Sequence, residues 1–133
     1  GVSWRGGVTP ETSVMVPHAL AVDPLDRDTL WVATGDQGVA ASRDRGETWS
    51  LENTGLGADV MFTITIDPAE PSTIYATSQD AGVWVSTDAG GTWSPLNDGL
   101  FHQFVTAFAI DANNHKIIYA GTEGGGVFRL VRP

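Results

Sequence analysis

Residues 42–49, SRDRGETW, decide the fold, because nearly the same octapeptide returns at residues 86–93 as STDAGGTW. Ser, Asp, Gly, Thr and Trp hold the same places in both copies, and the second copy begins 44 residues after the first. A period of roughly 20 to 50 residues is typical of repeat architectures, in which each repeat is one supersecondary unit. The pair of octapeptides therefore predicts a repeat protein.

The same period extends outward from the octapeptides. A third, less complete copy follows the second, with Leu130 and Arg132 where Ser and Asp would stand, and residues 1–4, GVSW, match the end of an octapeptide. Positions that repeat through all three copies are Asp23, Asp67 and Asp111; Trp31, Tyr75 and Tyr119; and Gly38, Gly82 and Gly126. The chain therefore contains three repeats.

Each repeat contains short runs of β-branched and apolar residues separated by turn residues, which predicts four antiparallel strands. In the second repeat the predicted strands are 63–66, 73–77, 83–86 and 92–95. The first and second strands are almost entirely apolar, which indicates sheets covered on both faces. No stretch shows a helical period, so the predicted class is all-β.

The octapeptides resemble the Asp-box (BNR) motif, S-x-D-x-G-x-T-W, of sialidases, xyloglucan hydrolases, sortilin-type receptors and photosystem II assembly factors. The resemblance covers residues 4–130, although the third copy departs from the motif. It implies four-stranded antiparallel blades of a β-propeller, with the box as a structural element on the face opposite the active site. It also favours an extracytoplasmic or secreted location.

The blade boundaries follow from the repeats. We expect one domain, 1–133, in which residues 1–18 form an orphan fourth strand and a long loop. Residues 19–62 form blade 1, 63–105 form blade 2 and 106–133 form an incomplete blade 3. Propellers have roughly 4 to 8 blades. We therefore expect a partial propeller belonging to a longer one, or a homo-oligomer, most simply a two-fold dimer of six blades in which residues 1–5 of each protomer complete the other's last blade.

Turn chemistry explains the residue types of the octapeptides. Glycine permits a positive φ, Asp and Ser side chains bond to turn backbone, and the Trp is expected to pack beneath the hairpin in equivalent surroundings in both copies. A catalytic or calcium-binding carboxylate would not need to recur in every blade, so these residues are interpreted as structural. They are Ser42, Asp44, Gly46, Thr48 and Trp49, and Ser86, Asp88, Gly90, Thr92 and Trp93.

Two sets of loops are expected on the opposite face. One set joins fourth strands to first strands, at 6–17, 57–62 and 101–105, and the other joins second to third strands, at 35–37, 79–81 and 123–125. Their carboxylates, amides and aromatic ring suit sugar hydroxyls or a protein partner, although ordinary solvated loop residues would look the same. The candidate ligand-binding residues are Asp36, Gln37, Asp59, Gln79, Asp80, Phe101, His102, Gln103 and Glu123.

Composition excludes several classes of function. The chain has 7 basic against 16 acidic residues and a formal net charge of −9, which argues against nucleic acid and anionic membranes as partners. It has no cysteine, so disulfides and thiolate metal sites are excluded, and no apolar run approaches the roughly 18 residues of a membrane span. The three scattered histidines do not predict a metal site. Asp23, Asp26 and Asp28 are interpreted as a polar turn and not a calcium loop, and no cofactor is predicted.

The predicted function is a β-propeller scaffold or binding module for carbohydrate or a protein partner, without catalysis of its own. The alternative is a fragment or subunit of a xyloglucanase-like glycoside hydrolase, because the sequence at residues 74–77 and the octapeptides resembles those enzymes. Glycoside hydrolases use paired carboxylates, which the rim loops also offer. A sialidase would need an arginine triad and a tyrosine nucleophile. Arg43 and Arg45 lie in the octapeptide, and Tyr75 and Tyr119 are repeat positions, so sialidase activity is not expected.

Overall fold

The computed structural model describes residues 1–4, 6 and 15–133. These residues form β-strands and turns and contain no helix, and therefore no helix that could span a membrane. The strands form three antiparallel sheets. Sheet 1 contains β1 (Pro17–Val22), β2 (Leu30–Thr34), β3 (Val39–Ser42) and β4 (Ser50–Leu51); sheet 2 contains β5 (Met61–Ile66), β6 (Ile74–Ser78), β7 (Val83–Ser86) and β8 (Ser94–Pro95); sheet 3 contains β9 (Val105–Ile110), β10 (Ile117–Thr122) and β11 (Gly126–Val131). The all-β prediction and the four-stranded pattern are confirmed, although β8 begins two residues after its predicted start at 92.

The 44-residue period is a geometric period as well as a sequence period. In each sheet every strand pairs with the next one along the chain. The register is also the same, since Leu20 pairs with Val32, Ile64 with Ala76, and Phe108 with Ala120. Because side chains alternate between the faces of a strand, this common register gives equivalent positions the same direction in every sheet.

The turn between the first and second strands is built in the same way three times. Oδ1 of Asp23, of Asp67 and of Asp111 each accepts hydrogen bonds from the backbone N–H groups two and three residues later. This is an Asx-type turn, in which a short acidic side chain replaces a backbone acceptor. The repeated aspartates therefore fix the polar turns at one end of the sheets.

Sheets 1 and 2 bury a core made of small residues on one side and large residues on the other. Ala19, Ala21 and Ala33 of sheet 1 lie in one cluster with Ile64 and Ile74 of sheet 2. A second cluster joins sheets 2 and 3 around Tyr75, Val83, Ile118 and Ala120. Small side chains let the sheets approach closely while large ones fill the gap, as dense packing requires.

The expected coverage of both faces holds for β6, whose five residues are all buried. It does not hold for β1. Leu20 and Val22 are 62% and 55% exposed, because the face that they occupy has no neighbouring sheet among the described residues. The apolar pattern of β1 thus reflects a face that is not covered by the described part of this chain.

The tryptophans of the two octapeptides share a sequence position but not their surroundings, so the expectation of equivalent packing was wrong. Trp93 is 3% exposed and meets Trp31 of sheet 1 edge-on, with ring centroids 6.3 Å apart. Trp49 is only half-buried and lies beside its own hairpin, 3.7 Å from where a Cβ on Gly46 would stand. Trp93 is buried because it packs against sheet 1, which precedes its own sheet along the chain.

The hairpin glycines test this packing directly. Their φ angles are nearly equal, at +87° for Gly46 and +86° for Gly90. However, only a Cβ on Gly90 would overlap the Trp31 ring. Gly46→Ala should lower the free energy of unfolding by about 1 kcal/mol from backbone strain, and Gly90→Ala by about 2 to 4 kcal/mol because overpacking adds to the strain. Urea unfolding of both variants measures the difference. Equal losses would contradict the described contact.

Candidate functional site

The octapeptide hairpins form one face of the molecule, and their polar side chains satisfy one another. In the first, Ser42 Oγ donates to Asp44 Oδ1 at 2.8 Å and accepts from the backbone N–H of Gly46 at 2.8 Å. The Asp44 carboxylate also accepts from the N–H and the hydroxyl of Thr48, at 2.8 and 2.6 Å. The second hairpin repeats these bonds with Ser86, Asp88, Gly90 and Thr92 at 2.8 to 2.9 Å.

Each hairpin turns through two consecutive residues with positive φ, of which only the glycine was anticipated from the sequence. Arg45 has φ of 62° and Ala89 has φ of 54°. Two such residues in succession define a type I′ turn, which suits the twist of a β-hairpin. The side-chain network holds a non-glycine residue in a left-handed conformation, which agrees with the structural interpretation of the motif.

Both hairpin carboxylates are stabilised in their charged form. The Thr48 hydroxyl, the Thr48 N–H and the Ser42 hydroxyl hold the pKa of Asp44 below its ordinary value. The Thr92 N–H, the Thr92 hydroxyl and the Ser86 hydroxyl do the same for the pKa of Asp88. Hydrogen bonds donated to a carboxylate favour its ionised state. A carboxylate held in this way is poorly suited to act as an acid near neutral pH.

The loops at the other end of the sheets form a continuous rim. Backbone N–H groups of Gly38 and Gly82 donate to the carbonyls of Asp59 and Gln103, which lie in the loop that enters the next sheet. Within a sheet, the N–H of Gln79 donates to the carbonyl of Val60, and that of Glu123 to that of Phe104. The two sets of loops therefore share one face, as predicted, although residues 7–14 of the first loop lie outside the described residues.

Most of the predicted ligand-binding residues point outward from this rim. The exposed ones are Asp36, Asp59, Gln79, Asp80, Phe101, His102, Gln103 and Glu123. Gln37 is half-buried, and its carbonyl accepts from the Asn53 side chain at 2.8 Å. The His102 ring packs over Gly125 and beside Phe128. The structure thus brings these residues to one face of the described part of the chain.

A row of three stacked rings on the rim was missed from the sequence. His18 stacks on Phe62, and Phe62 on Phe104, with centroids 5.5 Å apart in both pairs and interplanar angles of 15° and 6°. His18, Phe62 and Phe104 lie at or just before the first strands of sheets 1, 2 and 3. The repeat does not reveal the row, because the third-repeat counterpart of His18 and Phe62 is Thr106.

His18 is fixed within this row by two contacts. Its Nδ1 donates to the carbonyl of Met61 at 2.8 Å. Its ring lies against Gly35, where a Cβ would overlap the imidazole. With Nδ1 protonated, Nε2 of the neutral ring is an acceptor for a ligand donor. His18, interpreted from the sequence as a lone histidine, is therefore part of the candidate rim.

One cluster on the described chain has the composition of a metal site. Ligand atoms of Asp67, Glu70 and His115 lie within 4.8 Å of one another. The buried Asp67 carboxylate is already used, since Oδ1 caps the turn and Oδ2 accepts from His115 Nδ1 at 2.9 Å. The Arg132 guanidinium lies 4.0 Å from the same Oδ2. A neighbouring positive charge opposes a cation, so this cluster is a polar contact between sheets 2 and 3.

Comparison with known proteins identifies the fold. No family model and no curated protein matches the chain. Among solved structures, a GH74 enzyme from Niastella koreensis is similar with a TM-score of 0.69 and 23% identity, over 86% of this chain and 20% of its own. The GH74 xyloglucanase from Xanthomonas campestris gives 0.65 and 23%, over 83% and 19%. YCF48 bound to D1 peptide gives 0.66 and 19%, over 93% and 39%.

These similarities, together with the meander sheets, confirm that the chain forms blades of a β-propeller. The chain spans only 19% to 39% of the length of these three structures. At identities this low, the likeness establishes the fold alone. The sheets are accordingly called blades 1, 2 and 3 below.

The hairpin carboxylates give a pH prediction. Because the folded-state pKa of Asp88 is lowered, its contribution to stability is present above its unfolded-state pKa and is lost as the pH falls through the folded value. Asp88→Asn should therefore be less stable than wild type at pH 7, and the difference should shrink between about pH 4 and pH 2. Urea unfolding across this range measures it. A difference that stays constant or widens in acid would contradict the proposed role.

Proposed function

We propose that this chain is an Asp-box propeller module that binds neutral carbohydrate at its rim and is not catalytic on its own. The assignment to Asp-box repeats is supported by two hairpins in which Ser, Asp, Gly and Thr make the same set of hydrogen bonds. The same side-chain network stabilises the turn in both repeats at equivalent positions, which is expected of a motif with a structural role.

The row of stacked rings beside exposed carboxylates and amides supports the carbohydrate ligand. Sugars combine hydroxyl groups with apolar C–H surfaces, and binding sites in general combine apolar lining with a few placed polar groups. The ring row contributes the apolar surface. Gln79, Asp80 and Glu123 on the same rim are exposed and contribute hydrogen-bond acceptors and, for the amide, donors.

The net charge of the chain narrows the class of ligand further. The formal net charge of −9 and the rim carboxylates repel polyanions. Neutral glycans are therefore favoured over acidic polysaccharides, and the similarity to a GH74 xyloglucanase from Xanthomonas campestris makes xyloglucan the first probe to use.

Titration calorimetry with xyloglucan oligosaccharides tests the proposal. We expect saturable binding that Phe62→Leu and a Gln79→Ala, Asp80→Asn double variant each weaken by about tenfold or more. The first variant removes ring surface, and the second removes an amide and replaces a charged acceptor by a neutral amide. Glu70→Gln is the matched control, since Glu70 is an exposed carboxylate in the turn at the opposite end of blade 2. Absence of binding, or equal weakening by the control, would contradict the proposal.

The same preparation separates the binding module from the alternative, a fragment of a xyloglucanase-like glycoside hydrolase. The module should produce no new reducing ends from xyloglucan. Turnover that Asp36→Asn or Asp80→Asn abolishes would favour the hydrolase, in which paired carboxylates act on the glycosidic bond. Binding of a peptide but of no glycan would favour a protein partner, as in the structure of YCF48 bound to D1 peptide.

A further inference from the structure

The hydroxyl groups at the rim ends of the second strands donate their hydrogens within the protein. The Thr34 hydroxyl donates to the carbonyl of Gly38 at 2.9 Å, and the Ser78 hydroxyl donates to that of Gly82 at 3.1 Å. Thr122 makes the equivalent bond in blade 3. Because a hydroxyl group has one hydrogen to donate, these three side chains have none left for a ligand.

Backbone N–H groups of the rim loops are used in the same way. In blade 1, the N–H of Gln37 donates to Oγ1 of Thr34 at 2.9 Å, and the N–H of Gly38 donates to the carbonyl of Asp59 at 2.8 Å. The corresponding donors in blade 2 are the N–H groups of Ala81 and Gly82, at 3.0 Å each. The bonds that hold these loops therefore occupy donors of the rim.

The asparagine that follows the fourth strand holds the same loops with its side-chain amide. Nδ2 of Asn53 donates to the carbonyl of Gln37 at 2.8 Å. One repeat later, Nδ2 of Asn97 donates to the carbonyl of Ala81 at 3.0 Å. Since the bond is the same in blades 1 and 2, these amides stabilise the rim loops from within.

His18 presents an acceptor for a related reason. Its Nδ1 bonds to the carbonyl of Met61 at 2.8 Å, and a carbonyl oxygen only accepts. The hydrogen of the neutral ring is therefore on Nδ1, which leaves a lone pair on Nε2. The exposed His18 ring thus offers Nε2 to a ligand that donates.

The groups that the rim exposes are mainly acceptors. Asp36, Asp59 and Asp80 are exposed, and an ionised carboxylate accepts hydrogen bonds without donating any. Rim loops 35–37, 57–62, 79–81, 101–105 and 123–125 contain neither lysine nor arginine. The side chains of these loops that can also donate are those of Gln37, Gln79, His102 and Gln103. A ligand complementary to this surface supplies hydrogens.

Resting on the proposed carbohydrate function, we propose that the rim recognises sugar hydroxyl groups as hydrogen-bond donors. It therefore binds glycans with free hydroxyl groups and rejects glycans in which these groups are methyl ethers or acetyl esters. A free hydroxyl donates a hydrogen, whereas an ether or ester oxygen only accepts. Both kinds of glycan are uncharged, so the net charge of the chain does not distinguish them.

The selectivity arises from the carboxylates and His18. A hydroxyl that donates to a carboxylate makes a charge-assisted bond, which is roughly twice as strong as a bond between neutral groups. An ether placed against Asp59 or Asp80 displaces water from the carboxylate without supplying a donor, and an acceptor left in this way is destabilised. Nε2 of His18 has the same requirement. The stacked rings contribute apolar surface that either glycan can contact.

Titration calorimetry with xyloglucan oligosaccharides and their O-methylated derivatives tests this selectivity. The methylated oligosaccharides should bind at least about tenfold more weakly, because they leave the rim acceptors without donors. An Asp59→Asn, Asp80→Asn double variant separates lost donation from the bulk of the methyl groups. Asparagine has nearly the size of aspartate and keeps one acceptor oxygen, but its amide can donate to an ether.

The ratio of the two dissociation constants should fall about threefold or more in this double variant. Glu70→Gln is the matched control and should keep the wild-type ratio, since Glu70 lies in the turn at the opposite end of blade 2. Equal affinity for the two oligosaccharides, or a wild-type ratio in the double variant, would overturn the inference and leave the proposed function standing. Binding of neither oligosaccharide would overturn both.

Discussion

The packing of one twisted sheet on the next is the constraint on which the rest of this structure depends. A sheet with apolar side chains on both faces is stable only where other sheets remove those faces from water. In this chain the contact is made by alanines against isoleucines and by Trp31 beneath the hairpin that contains Gly90. These faces are held in position for packing by the hydrogen-bond networks of the hairpins, the shared strand register and the common direction of the loops.

The division between a structural face and a candidate binding face follows from this constraint. Short antiparallel strands place alternate turns at opposite ends of every sheet. The three sheets therefore place their first-to-second turns and the two octapeptide hairpins at one end, and the rim loops at the other. At the hairpin end the polar groups of Ser, Asp and Thr are used internally. At the rim the carboxylates and amides remain exposed, which is why we propose ligand recognition there and not at the repeated aspartates.

Departures from the repeat are where this molecule differs from an ideal array. Phe62 and Phe104 form the ring row although they do not occupy equivalent repeat positions. Arg132 occupies the place of an octapeptide aspartate, donates to the Tyr75 hydroxyl at 2.5 Å and lies over its ring. Asp67 and His115 add a polar contact between blades 2 and 3 that blades 1 and 2 lack, since Pro71 is the counterpart of His115. The repeated residues set the architecture, and the residues that depart from the repeat give each blade its own contacts and surface.

The sequence by itself determined the period, the all-β class, the four-strand pattern and the face on which each loop lies, because these depend on local turn chemistry and on the alternation of side chains along a strand. Only the tertiary structure decided the different burial of Trp49 and Trp93, the stacking of His18, Phe62 and Phe104, and the cavity of about 60 Å³ that Leu96 of blade 2 and Phe128 of blade 3 line. Each of these depends on which residues from different repeats meet across a gap between sheets. The sequence pattern of one strand contains no information about which residues face it across that gap.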